Sequence, residues 1–481
     1  MNHIVYISSL LLLLVFSCSA EERTGDLLIE NINVIHVENG NIEHSVNVLI
    51  QEDTIVSIES MDAKINYQID TTIDGSGQYL IPGFWDTHVH TWWVYEEFSP
   101  LLLANGVVGV REMNGDLPAI NQIKSSLDAA EIIGPEIVSA GPIIDGDPPS
   151  RDDYQVASTP EEGRALVRAQ KQAGADFIKV YFNLAEEVYL AIADECREQD
   201  LPLAGHLPNK VPLATAVAAG HQTFDHLYNV LATIAEQEGL DRIEESRSGR
   251  FVGAAFYERF DHIIATYDAN RVDELIEAYS REKAVYLCPT FTVHKGFQRD
   301  LDPNYLGDDR LQYMPESFVS GWLSGKNEPI SVADQKMLDA ELAWYQLMIQ
   351  LIKPLADSGV QFLTGTDYPG PFVIPGWSLH EEMQIFVQEA GLTELQALQA
   401  ATINAAKYLQ LEDHYGTIAT GKQASLLILA NNPLDAIEHT ESITGMLLDG
   451  RYYSKEELMK KVEIVTASES LPAGGHSGHC H

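Results

Sequence analysis

The chain has 481 residues, 45% of them hydrophobic, enough to bury a large core in two or three structural units or in one barrel with an accessory domain. Its 30 Lys and Arg against 71 Asp and Glu give a formal charge of -41, which repels nucleic acid and anionic membrane surfaces and excludes nucleic-acid partners. So much acid reads as a solvated surface suited to a salty habitat; it does not identify a substrate.

The first element is an apolar run, "SLLLLLVFS", ending at Cys18. It is too short to span a bilayer and matches a signal-peptide core, so residues 1–18 are expected to be an export signal. Val15-Phe16-Ser17-Cys18 resembles a bacterial lipoprotein cleavage box, in which the Cys is lipidated and becomes the new N-terminus. Two features depart from it: no Lys or Arg precedes the run, and Phe16 is bulky for its place. The expectation is an exported protein, periplasmic or an outer-membrane lipoprotein anchored through Cys18, with plain secretion as the alternative. With 4 Cys in all, one of them in that signal, no disulfide framework is written, and Cys196 and Cys288 read as buried thiols.

From residue 26 to 81 the pattern alternates and is β-rich: "LLIENINVIHV", "SVNVLIQEDTIVSIES" and "TTIDGSGQYLIPG", broken by Asn-Gly and Gly-Ser-Gly turns. Residues 412–455 answer it with "YGTIATGKQASLLILANNPLDAI" and "ESITGMLLDGRYY". Two β-rich segments flanking a long middle predict one small β-sandwich domain built from both ends of the chain. Residues 456–481 read as a helix and a tail, "AGGHSGHCH", whose His476, His479, Cys480 and His481 could catch a stray transition metal; the Gly-rich context favours a disordered end.

Residues 82–411 repeat a short apolar strand followed by a helical pattern. The strands are "LIPGFWDTHVH", "GVVGVREM", "EIVSAGPII", "DFIKVYF", "PLAGHLP", "QTFDHLYN", "AVYLCPTFTV" and "VQFLTGTDYP". This predicts an α/β fold, a (β/α)8 TIM-like barrel. Helices such as "TPEEGRALVRAQKQAG" and "AEEVYLAIADECREQD" carry Thr, Pro or acid at the start and Gly or Asp at the end, as caps require. The connections near 230–283 and 294–357 exceed a plain crossover and predict added elements over the barrel mouth. The second holds Phe297, Tyr305, Tyr313, Phe318 and Trp322, which with Trp92 and Trp93 could line an apolar cleft; half or more of them could instead pack the insertion's own core.

Barrel active sites form at the C-terminal ends of the strands. The predicted strand ends supply His88 and His90, Lys179, His206, His226 and Asp367. Each alone has a bland reading: a satisfied strand-end His, a snorkelling Lys, a turn Asp. Packing alone does not select all of them together. Residues two apart in a strand face one side, so His88 and His90 can point at one cation, and the whole set makes a nitrogen and oxygen cage for a borderline ion such as zinc.

"HVH", "FIKVY", "AGH", "DH" and "GTD", in this order, resemble the amidohydrolase superfamily, and more narrowly its binuclear members with a carboxylated lysine, similar to Xaa-Pro dipeptidases (prolidase-like) and imidazolonepropionase-related amidohydrolases. The likeness runs over residues 27–450, since "GVVGVRE" and "ATINAAKYLQLEDHYGTIATGKQASLLILANNPLDAI" are also similar to family segments; Ser425, where the family usually has Asp after the Ala, departs from it outside the site. The resemblance implies two divalent ions, expected to be zinc. His88, His90 and Asp367 would hold the first, His206 and His226 the second, and Lys179, as its N6-carboxylated carbamate, would bridge both. A water shared by two such ions ionises near neutral pH and serves as the nucleophile. Asp367 would act as general base and pass the proton to the leaving nitrogen, while Tyr228 or His294 would donate to the carbonyl oxygen. Either could equally be structural, a packed aromatic or a lid surface residue; Arg111, His221 and His380 read as structural or as neighbours of the ligands.

The expected activity is hydrolysis of an amide C–N bond, on dipeptides or N-acyl amino acids, with a small molecule or dipeptide as partner and a homo-oligomer left open. The rival keeps the fold and changes the bond, to a cyclic amide or a deamination using one ion. A non-catalytic exported binding lipoprotein is disfavoured by the complete ligand set. No G-x-S-x-G elbow at a strand-to-helix turn and no phosphate-binding GxxxxGK[ST] occurs, so serine-hydrolase and nucleotide-driven readings fail.

Overall fold

The computed structural model describes residues 23–62, 67–246, 254–280, 285–324 and 326–467. The apolar run ending at Cys18 and the tail with His476, His479, Cys480 and His481 lie outside the described residues. No helix among the described residues is long and apolar enough to cross a membrane.

Strands from both ends of the chain share one eight-stranded sheet. Tyr79–Pro82 joins the halves, parallel to Arg23–His36 on one side and antiparallel to Leu426–Leu429 on the other. The alternating residues Ile29, Val34, Val48, Ile50, Leu80, Leu426 and Ile428 bury one face as a core of their own. The expected Asn-Gly turn is present, with Gly40 at φ 77 and its N–H donating to His36 O.

"LIPGFWDTHVH" is two strands, not one. Tyr79–Pro82 belongs to the terminal sheet and Phe84–Val89 to the parallel strands. Gly83 makes the switch possible, because a Cβ there would overlap Val108. "EIVSAGPII" also divides, into Glu136–Ser139 and Ile144–Asp145, around Pro142, which has no N–H to give to a ladder.

The parallel strands form two groups. One orders Phe84–Val89, Val107–Glu112 and Glu136–Ser139; the other runs from Gln155–Val156 through Ile144–Asp145, Ile178–Val180, Leu203–Gly205, His221–Asp225 and Tyr286–Cys288 to Gln361–Phe362. Parallel bridges Ala140↔Phe177 and Val89↔Tyr368 link both edges of the first group to the second, one just before Ile178–Val180 and the other beyond Gln361–Phe362. Thr159 and Glu162 cap the helix Pro160–Gln172 reciprocally, as its sequence predicts.

Two predicted strands end early and turn into helices. "QTFDHLYN" leaves the sheet after Asp225 and helix Tyr228–Ala232 follows; "AVYLCPTFTV" leaves it after Cys288 and Phe291–Leu301 follows. Left-handed His226, Leu227 and Thr290 make these corners, and the Glu382 carboxylate accepts from the N–H groups of Phe291 and Thr292 at 2.9 and 2.8 Å. The long connections are helical: Gln237–Ser246, Ala254–Thr266 and Val272–Ser280 in the first, Glu316–Trp322 and Val332–Asp357 in the second. They meet where Phe260 stacks on Trp344, with centroids 4.2 Å apart and planes at 4°.

Candidate active site

His88 lies within the fully buried strand Phe84–Val89 and His90 follows its end. Their rings stand 5.6 Å apart, on the same side, as alternation requires. Lys179 is the middle residue of Ile178–Val180; His206 and His226 directly follow Leu203–Gly205 and His221–Asp225; Asp367 comes after Gln361–Phe362. All are buried, His90 being the most open at 8%.

Three imidazoles turn the same nitrogen toward one carboxylate. Nε2 of His88 and of His90 lie 3.3 and 3.2 Å from Asp367 Oδ1, and Nε2 of His226 lies 3.8 Å from Oδ2. Their Nδ1 atoms face other residues: Asp225 Oδ1 at 3.3 Å, Glu112 Oε1 at 3.9 Å and Thr290 Oγ1 at 2.6 Å respectively. Lys179 Nζ is 3.3 Å from His88 Nε2. The His206 ring stands 4.8 Å from that of His226 and packs against Tyr181 and Phe182 at 4.2 and 4.6 Å.

The backbone is held in uncommon conformations to do this. His226 and Asp367 have φ of 61° and 57°, left-handed values that cost an L residue about 1–3 kcal/mol. His226 N–H donates to Cys288 O at 3.0 Å and Asp367 N–H to His88 O at 2.7 Å. Asp86 accepts from Thr366 N–H and Oγ1–H at 3.0 and 2.6 Å, fixing the turn before Asp367; burial pushes its carboxyl up to about 7 against those bonds. Gly205 sits at φ 120 with Val180 O where a Cβ would be, which lets the chain pass close to Lys179 before His206.

These groups fit a divalent cation. His88, His226 and Asp367 each offer a ligand atom within 4.8 Å of the others, and imidazole nitrogens with a carboxylate suit a borderline ion. Burial, opposed by the bond to Asp367, lowers His90 to about 4, so it is the neutral, metal-binding form of imidazole.

Tyr228 and His294 lie beside this cluster. The Tyr228 ring is nearly parallel to that of His226, at 5.1 Å and 15°, and packs 5.6 Å from those of Phe260 and His294. Burial pushes its phenol well above the ordinary value, so it remains an O–H donor. His294 is fully buried and not a surface residue: Nδ1 is 2.6 Å from Glu341 Oε1, and Nε2 has no hydrogen-bond partner among the described residues. Of the aromatics expected in a cleft, Phe318 stacks with Trp93 at 6.2 Å and meets Trp322 at 5.8 Å, while Trp322 and Tyr305 both meet Phe372. Trp93 thus packs with the second insertion's ring cluster. Tyr313 packs instead on Trp377 at 4.9 Å.

Sequence reading did not single out Asp225, Glu112, Thr290 or Glu341, the residues behind the imidazoles. Asp225 and Glu112 sit in "DH" and "VRE", so adjacency to a strand-end His was the available signal; Glu341, on the long helix of an insertion, gives none. Arg111 is fully buried and donates to Asp225 at 2.9 Å. Burial raises the Asp225 carboxyl, but Arg111 and then His88 outweigh it and leave it below the ordinary value. His221 and His380 lie away from Asp367: His221 between Tyr189 OH and Thr223 O, His380 between Thr440 Oγ1 and Asn105 O.

Residues 341–452 match the family model described as Amidohydrolase family. That segment is amidohydrolase-family sequence. The matched segment includes Asp367 and none of the histidines near it. Ochratoxinase of Aspergillus niger is 20% identical over 84% of this chain and 82% of its own length. Among solved structures, bottromycin amidohydrolase covers 91% of this chain and 90% of its own with a TM-score of 0.71 at 20% identity. A Xaa-Pro dipeptidase with bound methionine covers 89% and 99% with a TM-score of 0.65 at 18% identity. The fold is therefore an amidohydrolase fold of mixed α/β content. Family and relatives together indicate a hydrolase acting on C–N bonds, of a kind that generally uses divalent metal ions.

Proposed function

We propose that this protein is a metal-dependent amidohydrolase that cleaves an amide bond of dipeptides or N-acyl amino acids. One observation carries the reading: the Nε2 atoms of His88, His90 and His226 converge on the Asp367 carboxylate, with Lys179 Nζ at the same corner. With both edges of the first strand group bridged to the second, the strands read as a closed (β/α)8 barrel spanning residues 82–411, with the terminal sheet as its β-sandwich companion.

His88, His90 and Asp367 would hold one ion and His206 and His226 a second, with Lys179, carboxylated on Nζ, between them. Bound there, two zinc-like ions would supply Lewis acidity to the carbonyl and acidify water. Asp367 accepts the proton of the attacking water and returns it to the leaving nitrogen. Tyr228 O–H would donate to the carbonyl oxygen, in a site whose buried aromatic walls exclude water, whereas the Glu341 carboxylate, 2.6 Å from His294 Nδ1, favours the His294 proton there and leaves Nε2 an acceptor. Export, with a lipid anchor at Cys18, rests on the sequence alone and would bring the enzyme to peptides outside the cytoplasm.

Metal analysis of protein purified without chelator tests the reading directly. About two zinc-like ions per chain are expected; about one would favour the single-ion cyclic amidase or deaminase. A panel of dipeptides and N-acyl amino acids assayed with added metal identifies the substrate. Asp367→Asn should abolish turnover, and undiminished turnover would defeat the proton path.

A further inference from the structure

Two buried groups outside the expected ligand set stand behind His88. Asp225 closes the strand His221–Asp225; its Oδ1 accepts from Arg111 Nη2 at 2.9 Å and lies 3.3 Å from His88 Nδ1. Arg111 is itself fixed in several directions. It donates to Thr87 O, to Thr223 Oγ1 at 2.8 Å and to Tyr408 OH at 2.7 Å, and its guanidinium lies over the Tyr408 ring at 4.9 Å. A carboxylate held by so constrained a guanidinium cannot turn away from the imidazole.

We propose that Asp225, anchored by Arg111, is a positioning residue that keeps the His88 proton on Nδ1 and presents the Nε2 lone pair to the cation, setting the site's affinity for its first divalent ion. The inference rests on the metal-site reading above. An anion beside Nδ1 favours the proton there, leaving Nε2 unprotonated where Asp367 Oδ1 and Lys179 Nζ are both 3.3 Å away. The same anion makes Nε2 a stronger donor to a metal. The other two imidazoles lack this arrangement: His226 Nδ1 faces the neutral hydroxyl of Thr290, and Glu112 is 3.9 Å from His90 Nδ1. Asp225 also precedes His226, so the Arg111 contact anchors the left-handed corner that places a second imidazole.

The test uses the full chain stripped of metal and titrated with Co2+, read by visible absorption, and with Zn2+ against a chromophoric chelator. Wild-type protein should bind both ions; failure to bind would overturn the metal-site reading and the inference together. Asp225→Asn should bind the first ion about 10–100-fold more weakly with an altered cobalt spectrum, because a neutral amide is a poorer partner and its NH2 can force the proton onto Nε2. A folded Asp225→Asn with wild-type affinity and spectrum would overturn the inference alone and leave Asp225 as Arg111's structural counterion. If the variant does not fold, histidine 15N spectra of the wild-type zinc protein decide it: His88, assigned by its loss in His88→Asn, should carry its proton on Nδ1, and an Nε2-protonated ring would overturn the inference.

Discussion

His221→Gln should flatten the acid dependence of stability. The His221 ring is fully buried and stacked on Phe224 at 4.3 Å; Tyr189 O–H donates to Nδ1 at 3.1 Å and Nε2–H donates to Thr223 O at 2.8 Å, so the neutral ring satisfies both partners. Burial lowers its pKa from 6.5 to about 4, with Asp225 opposing. A depressed histidine pKa means that the unfolded chain takes up a proton that the folded chain refuses. The stability linked to His221 is present above pH 6.5 and is lost as pH falls toward 4. The full loss is about 3 kcal/mol, of which about 2 kcal/mol falls between pH 7 and 5. Urea denaturation of both proteins at the two pH values isolates the effect, since the acidic surface titrates alike in each and cancels. Wild type should lose about 2 kcal/mol more than the variant over that interval. An equal loss in the two proteins would refute the assignment of His221 as a neutral core histidine.

Other consequences follow from the site and from the helices over it. Lys179→Ala should lose one of the two ions and most of the activity, and partial recovery with added short carboxylic acids would support the carbamate; full activity without them would exclude it. Tyr228→Phe should lower kcat by about 10²–10³-fold with little change in KM if the phenol donates only to developing charge, and an effect on KM alone would make it a packing residue. Phe260→Ala removes a 1% exposed ring stacked on Trp344 and should cost about 3–5 kcal/mol of stability in thermal or urea unfolding; a cost below about 1 kcal/mol would mean that the two insertions are not packed as one layer.

Much of the site was legible in the chain because strand ends in an α/β fold carry chemistry in a fixed order. His88, His90, Lys179, His206, His226 and Asp367 could be picked out as residue types that a hydrophobic core does not select at those places, and alternation put the first two on one side. The mixed α/β content and the β-rich termini follow from the same periodicities. Where strands stop was not legible. "DHLYN" and "FTV" look extended by composition, but the left-handed corners at His226 and Thr290, and a Glu382 carboxylate ninety positions along the chain, turn them into helix starts.

The sequence by itself determined which strand ends carry imidazole nitrogens, an amine and a carboxylate, because residue identity and place along a strand are local properties. Only the tertiary structure decided which nitrogen of each imidazole faces inward. The opposite nitrogens face Asp225, Glu112 and Thr290, groups distant from His88, His90 and His226 or in no motif with them, and side-chain geometry between remote strands has no signature in the linear order of the chain.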